Sequence, residues 1–404
     1  MIIKSVSFQN YKSFAEKQEL EIKPITILIG KNSSGKSAIA KLFTLLENSL
    51  SGLIDEPLHV SNGEVELGSD FRDLVYNRAP KDPLYFTLDF FGGKALKVGV
   101  IKENDTNPTL KIYSWSYPPY SFVQTSSGLY VDEIGTQYEI VFKGIIPSSI
   151  LKMSSAGCEL LELEIIPFNL DVDYIGPFRV LPERAFILTG QLNYEKTGIR
   201  GQNAYSMLGV SKLLDGNLYK QVGDWYERNF DGWRLNVSDS PYPYLEIKLS
   251  KEDSDVNIVD VGQGMNQALP LVVRAHISKP DSMIILEQPE LHLHPAAHGD
   301  LAELFAKSAK ENNQTFLIET HSENIILRLR RLIVEQTFGL TSDDVVIYWV
   351  TDGETKGQQI QKITIDDEGT LSDWPEGIFT ENIVEITELR KALKKKKNNN
   401  DNSN

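Results

Sequence analysis

Gly30–Ser37 reads GKNSSGKS: two glycines enclosing four residues, then a lysine and a hydroxyl, with the apolar run ITILI before them and the helix-like run AIAKLFTLL after. This is the phosphate-loop pattern G-x-x-x-x-G-K-[ST] in the strand-then-helix context that it requires. Backbone N–H groups at a helix N-terminus cradle phosphate oxygens, and the glycines let the backbone approach closely. Lys36 would meet the β- and γ-phosphates and the Ser37 hydroxyl would ligate Mg²⁺, with Asn32, Ser33, Ser34 and Gly35 lining the loop.

A second chemical stretch is MIILEQPELHLHP, Met283 to Pro295. Apolar residues run into Glu287, which at the C-terminal edge of a parallel strand lies within reach of the phosphate loop and can hold the metal, directly or through water. Buried at a strand end without such a partner, a carboxylate is costly. Gln288 comes next. A carboxylate there would take the proton of an attacking water; an amide cannot, and a positioned general base is worth roughly 10²–10⁴-fold. Turnover is therefore expected to be slow rather than absent, because phosphoryl transfer rests mainly on positioning and electrostatics. Glu290 and His321, the latter closing the strand in TFLIETHSENII, are candidates for ordering the water. Three readings of Gln288 stay open: a natural slow-turnover design, an introduced Glu→Gln exchange, or a regulatory pseudo-enzyme. His292, His294 and His298 do not read as a zinc site, since Pro295 interrupts their spacing and no cysteine cluster supports them.

Between these stretches, VDVGQGMNQALPLVV places Gly262 and Gly264, with Asn266 and Gln267, at the opening of a helical run. The elements that must position all of this alternate: strands from 1 to about 100 with one strong helix from Ser37 to about Leu50, then MIILE, a helix from about Pro295 to Lys310, TFLIET, a helix from about Glu323 to Gln336, and VVIYWV. Such alternation predicts an α/β fold with a mostly parallel sheet covered by helices. LYFTLDFF, ALKVGVIK and LKIYSWSY alternate like antiparallel strands and form a β-lobe. The expected organisation is 1–140, one half of a head with the phosphate loop and β-lobe; 141–255, an inserted mixed α/β lobe; 256–385, the other half; and 386–404, a disordered tail ending in KKKKNNNDNSN.

At 404 residues the chain can bury a sizeable core. The single cysteine, Cys158, cannot close an internal disulfide, and no apolar run approaches the roughly 20 residues of a membrane helix. A reducing, cytoplasmic setting without a membrane is expected. A net charge of −15 argues against a surface attractive to nucleic acid as a whole, while a local basic patch stays compatible with it.

With the phosphate loop, the Glu287 strand, the glycine-led helix and His321 in this order, the chain resembles ABC-type ATPases of the SMC, RecF and OLD kind, and most closely the stand-alone bacterial OLD-like ATPases. FQNYKSFAE resembles their N-terminal segment, DYIGPFRVLPER an internal one, VGQGMNQALP an altered signature motif, and EQPELHLHP their Walker B and D-loop, with GKNSSGKS as Walker A. WPEGIF, Trp374 to Phe379, is similar to a family ending. The resemblance implies a P-loop NTPase head of ABC type whose two copies sandwich ATP and Mg²⁺. It adds Lys12 and Ser13 to the nucleotide contacts, makes Gly262, Gly264, Asn266 and Gln267 a signature reaching the other subunit's phosphates, and makes His321 the switch histidine. Asn266 stands where the signature usually has Ser, and no Q-loop glutamine is identified. Nuclease-bearing relatives carry a Toprim domain of roughly a hundred residues after the head. VVIYWVTDGETKG lacks its acidic turn, and Asp366 to Gly369 reads as a hairpin turn. The implied role is a slow ATPase and sensor in antiphage defence, acting with a separate effector, a nuclease or toxin. The alternatives are an ATP-binding scaffold with negligible hydrolysis, and a DNA-repair or chromosome-associated ATPase that touches nucleic acid. Membrane transport ranks low.

Overall fold

Every residue of the strands Ile25–Gly30 and Ser282–Glu287 is buried, as expected of strands covered on both faces. They belong to a six-stranded sheet in the spatial order Asp171–Ile175, Ser282–Glu287, Thr315–Glu319, Ile25–Gly30, Val345–Asp352, Gln358–Ile363. The first five run parallel, and the last pairs antiparallel at the edge. A computed structural model describes residues 3–103, 109–155, 157–161, 168, 170–238, 243–353, 357–374 and 385–393.

Six helices follow in chain order: α1 Lys36–Leu50, α2 Ala204–Leu213, α3 Leu218–Asn229, α4 Gln263–His276, α5 Pro295–Glu311 and α6 Glu323–Val334. Because side chains alternate across a strand, the sheet divides the core in two. Leu28, Ile285, Leu317 and Tyr348 pack with α1 and the β-lobe. Ile27, Ile284, Phe316 and Ile347 face α4, α5 and α6 on the other side. α5 starts at Pro295, whose fixed φ suits a first helical position, behind His294 as the cap.

The β-lobe is a ten-stranded antiparallel sheet, a meander from Leu84–Phe90 to Gly157–Leu160 with Ile3–Gln9 and Gln18–Glu21 at its other edge. Leu84–Phe90 shows the cause in its sequence, burying every second residue of LYFTLDF more deeply than the one between. Here the expected boundaries need correction. The border at 140/141 cuts through the strand Gln137–Lys143, and Ile146–Ser154 and Gly157–Leu160 continue the same sheet. Asp171–Ile175 belongs to the parallel sheet, beside Ser282–Glu287. What remains inserted is α2, α3 and a three-stranded sheet of Arg234–Val237, Ile247–Lys251 and Ser254–Asn257, so the border at 255/256 also falls inside a strand. The physical reason is range: these pairings are fixed by partners far away in sequence.

A buried ion pair ties the first parallel strand to α4. Arg274 Nε lies 2.7 Å from Asp173 Oδ2, which also accepts from the Thr197 hydroxyl at 2.8 Å, while Arg274 Nη2 donates to Ser282 Oγ at 2.9 Å. Asp366–Gly369 does form a tight turn, Gly369 N–H donating to the Asp366 carbonyl at 2.9 Å. Residues 385–393 are helical, where a disordered tail was expected from 386. Residues 394–404, and Pro375 to Phe379 of WPEGIF, lie outside the described residues. No helix among the described residues is long and apolar enough to cross a membrane.

Candidate active site

The loop from Gly30 to α1 needs its glycines. Gly30 has φ 151° and Gly35 φ 100°; a Cβ would lie 2.4 Å from the Val350 carbonyl oxygen at the first and 2.7 Å from Ser13 Oγ at the second. Lys36 is 3% exposed and folds back over the loop, donating to the carbonyls of Gly30 at 3.0 Å and Lys31 at 2.8 Å. Asn32 and Ser33 are exposed, whereas Ser34 is buried with its hydroxyl unpartnered. The N-terminal segment packs beneath: Tyr11 donates to the Ala38 carbonyl of α1 at 2.9 Å, which sets Ser13 against Gly35. Lys12 does not join it. Its ammonium donates to the Leu67 carbonyl.

The Thr315–Glu319 strand lies between the strand that leads into the loop and the strand that ends in Glu287, in a register that sets Glu287 beside Glu319. Ser37 Oγ donates to Glu319 Oε2 at 2.8 Å, and Lys36 Nζ lies 3.8 Å from Glu319 Oε1. Glu287 is 7% and Glu319 5% exposed, and Glu287 Oε1 has no partner. Two ionised carboxylates about 5 Å apart repel by about 3 kcal/mol at an effective dielectric near 20. Burial first, and the Glu287 charge second, push the Glu319 carboxyl up to about 7; burial also raises Glu287 and lowers Lys36. On the other neighbouring strand the Tyr174 hydroxyl is buried beside Glu287, and burial together with that charge drives its ionisation far above the usual range. Ser37 and Glu287 were found from the sequence; Glu319 and Tyr174 were not. The one available signal was that TFLIET ends its strand in an acid two residues before His321. Hard oxygen donors, one of them a buried carboxylate oxygen without a partner, suit Mg²⁺.

Gln288 occupies a left-handed turn, φ 45°, its N–H donating to the Glu319 carbonyl at 2.8 Å. Its own carbonyl accepts from Arg179 Nη2 at 2.9 Å. Glu290 Oε1 accepts from the His321 N–H at 2.6 Å, so Gln288, Glu290 and His321 stand together next to the acidic pair. Arg179, 5% exposed, is a further residue missed in the sequence. Its other terminal nitrogen lies 3.4 Å from the Gln267 carbonyl, and burial lowers its basicity against the opposing pull of Glu290.

α4 begins at its cap, Gly262, which is exposed together with Gln263, while Gly264 packs against the His292 carbonyl. Asn266 and Gln267 are each 4% exposed, and Asn266 Oδ1 has no partner. Both lie in the first turns of a helix whose Met265 and Gln267 carbonyls accept from the Tyr226 hydroxyl and Arg179. Two of the three histidines make local contacts: His294 caps α5, accepting from Ala296 N–H at 3.2 Å, and His298 bonds Ser322 Oγ at 2.8 Å. Among the described residues, no cluster of three or more His, Cys, Asp or Glu side chains is placed to hold a metal.

A family profile described as AAA ATPase domain matches residues 1–122 and 209–326, and one described as protein of unknown function (DUF3696) matches 340–389. No curated protein matches. Among solved structures, an SMC head bound to the C-winged helix domain of ScpA is 15% identical with a TM-score of 0.51, over 90% of this chain and 98% of that one. The SMC head domain from Thermotoga maritima is 11% identical, TM-score 0.42, over 89% and 98%. At these identities the first likeness is one of fold, and it fits the two-sided sheet described above. The phosphate loop lies inside a profile match that covers more than half of the chain, and the protein belongs to the AAA ATPase domain family, folded like an SMC-type ATPase head.

Proposed function

We propose that this protein is a slow, Mg²⁺-dependent ATP hydrolase that works as an ATP-sandwiched dimer. In this reading it acts as a sensor in bacterial antiphage defence, passing its nucleotide state to a separate effector, a nuclease or toxin. The observation that carries the slow turnover is Gln288: an amide held at the end of the Glu287 strand, next to Lys36, Ser37 and two buried carboxylates. The amide leaves the attacking water without a strong base at that position, while Glu290 and His321 stand close enough to order it. Lys36 and the loop residues Asn32 to Gly35 would hold the phosphates, with Ser13 beneath them and Ser37 and Glu287 on the metal; Gly262 and Gly264, at the exposed start of α4, would meet the second subunit. The resemblance to OLD-like ATPases supports the defence role, and an SMC head bound to part of ScpA illustrates a head of this fold engaging another protein.

A second reading, an ATP-clamped scaffold with negligible hydrolysis, draws on the same amide. Single-turnover hydrolysis by the purified protein, its Lys36→Ala variant and its Gln288→Glu variant separates them. The ATPase reading expects measurable hydrolysis that Lys36→Ala abolishes. Hydrolysis unchanged in Lys36→Ala would end it, and no hydrolysis with intact ATP binding would favour the scaffold.

A further inference from the structure

The second carboxylate has no part in the reading so far. Glu319 approaches the loop from its metal side: its two oxygens meet the Ser37 hydroxyl at 2.8 Å and the Lys36 ammonium at 3.8 Å. Its main-chain carbonyl accepts from the Gln288 N–H at 2.8 Å. Glu287, its register partner, keeps Oε1 buried and unpartnered in the same place. Lys36, the ion-pair partner of Glu319, also donates to the carbonyls of Gly30 and Lys31, and Glu287 feels the charges of Lys41 and Lys36 without an ion pair to either.

We propose that Glu287, Glu319 and Ser37 form a two-carboxylate divalent-cation site that takes up Mg²⁺ or Mn²⁺ before the nucleotide arrives. The proposal rests on the ATP-site reading above and adds a metal ligand and an order of binding to it. The charge balance supports the order. A single carboxylate and a hydroxyl hold Mg²⁺ weakly without phosphate oxygens, whereas two carboxylates neutralise it and leave Lys36 free for phosphate. Three protein oxygens of hard character also leave room for the water and phosphate oxygens that complete an octahedral shell. The strands that carry both acids are central and fully hydrogen-bonded to each other, so the pair is pre-positioned and not assembled by the ligand.

The test is Mn²⁺ binding to the nucleotide-free full-length chain, followed by the loss of the free-ion electron paramagnetic resonance signal. Wild type, Glu319→Gln, Glu319→Asp and Glu287→Gln are compared, with ATP binding measured in parallel by a fluorescent ATP analogue in chelator. Wild type is expected to bind one Mn²⁺ per chain without nucleotide, Glu319→Gln to bind it about tenfold or more weakly, and Glu319→Asp to recover part of the loss. Wild type that takes up no Mn²⁺ without nucleotide overturns the proposal. So does Glu319→Gln that binds Mn²⁺ like wild type while losing turnover, since Glu319 would then act on the water. Failure of the ATP-site reading itself is a separate result: no analogue binding by any form.

Discussion

Arg179 Nη2 holds the main-chain carbonyl of Gln288 at 2.9 Å, and the same guanidinium lies 3.4 Å from the carbonyl of Gln267 in α4. One buried cation thus joins the helix whose start would face a second subunit to the turn that would place the attacking water. Arg179→Lys keeps the charge and loses the fork that spans both carbonyls. Turnover is expected to fall about ten- to a hundredfold, as for misplacement of a reacting group by a fraction of its contact distance. ATP affinity is expected to stay within about threefold. Parallel kcat and equilibrium-binding measurements check the split; an equal loss in both would mean that Arg179 only supports the fold.

Gln288→Glu supplies the missing base. Hydrolysis is expected to rise by about one to two orders of magnitude, up to the lower end of the roughly 10²–10⁴-fold that general-base help contributes. Steady-state phosphate release is sufficient to see it, and a rate that stays flat would show that Glu290 or His321 already orders the water to its limit.

The ion pair of Asp173 and Arg274 is almost wholly buried. Asp173→Ala strands the guanidinium and should destabilise the protein by about 3–5 kcal/mol, while the paired exchange Asp173→Asn with Arg274→Met should recover much of that. Urea unfolding followed by circular dichroism reads both. Equal losses in the single and double variants would contradict the pair as the source.

Gly35 stands at φ 100° with Ser13 Oγ 2.7 Å from where a Cβ would sit. Gly35→Ala therefore either tilts the loop or pushes Ser13 away, and nucleotide affinity should drop at least about tenfold with little change in melting temperature. Ser13→Gly in the same chain relieves the contact and should restore part of the affinity, which a binding titration shows directly.

The phosphate loop was legible in the sequence because all of its chemistry is local: glycines, lysine and hydroxyl sit within eight residues, and the flanking runs declare strand and helix. Glu287 was legible for a similar reason, an apolar strand that ends in an acid. Glu319 ends its strand in the same manner, yet its meaning depends on register with Glu287 and on a 2.8 Å contact to Ser37, neither of which a one-dimensional pattern carries. Arg179 lies in an aperiodic stretch, where only tertiary placement tells a buried clamp from a surface charge. The lobe boundaries failed likewise, because Asp171–Ile175 finds its partner only at Ser282–Glu287 and the meander runs on past the point where its alternation weakens. Motif position alone gave Asn266 and Gln267 a contact with a second subunit's phosphates; their burial within one chain depends on helical phase and packing, which the motif does not carry.

The strand that leads into the phosphate loop is flanked in the sheet by Thr315–Glu319 and Val345–Asp352. During synthesis it leaves the ribosome early and waits, unpaired on both edges, until the chain has been made through those late segments. Nucleotide competence is thus among the last properties the nascent chain acquires, and a product cut short before residue 315 would carry the loop's sequence without a sheet to hold it. The early-made loop thus depends for its backbone support on the last strands of the parallel sheet to be made.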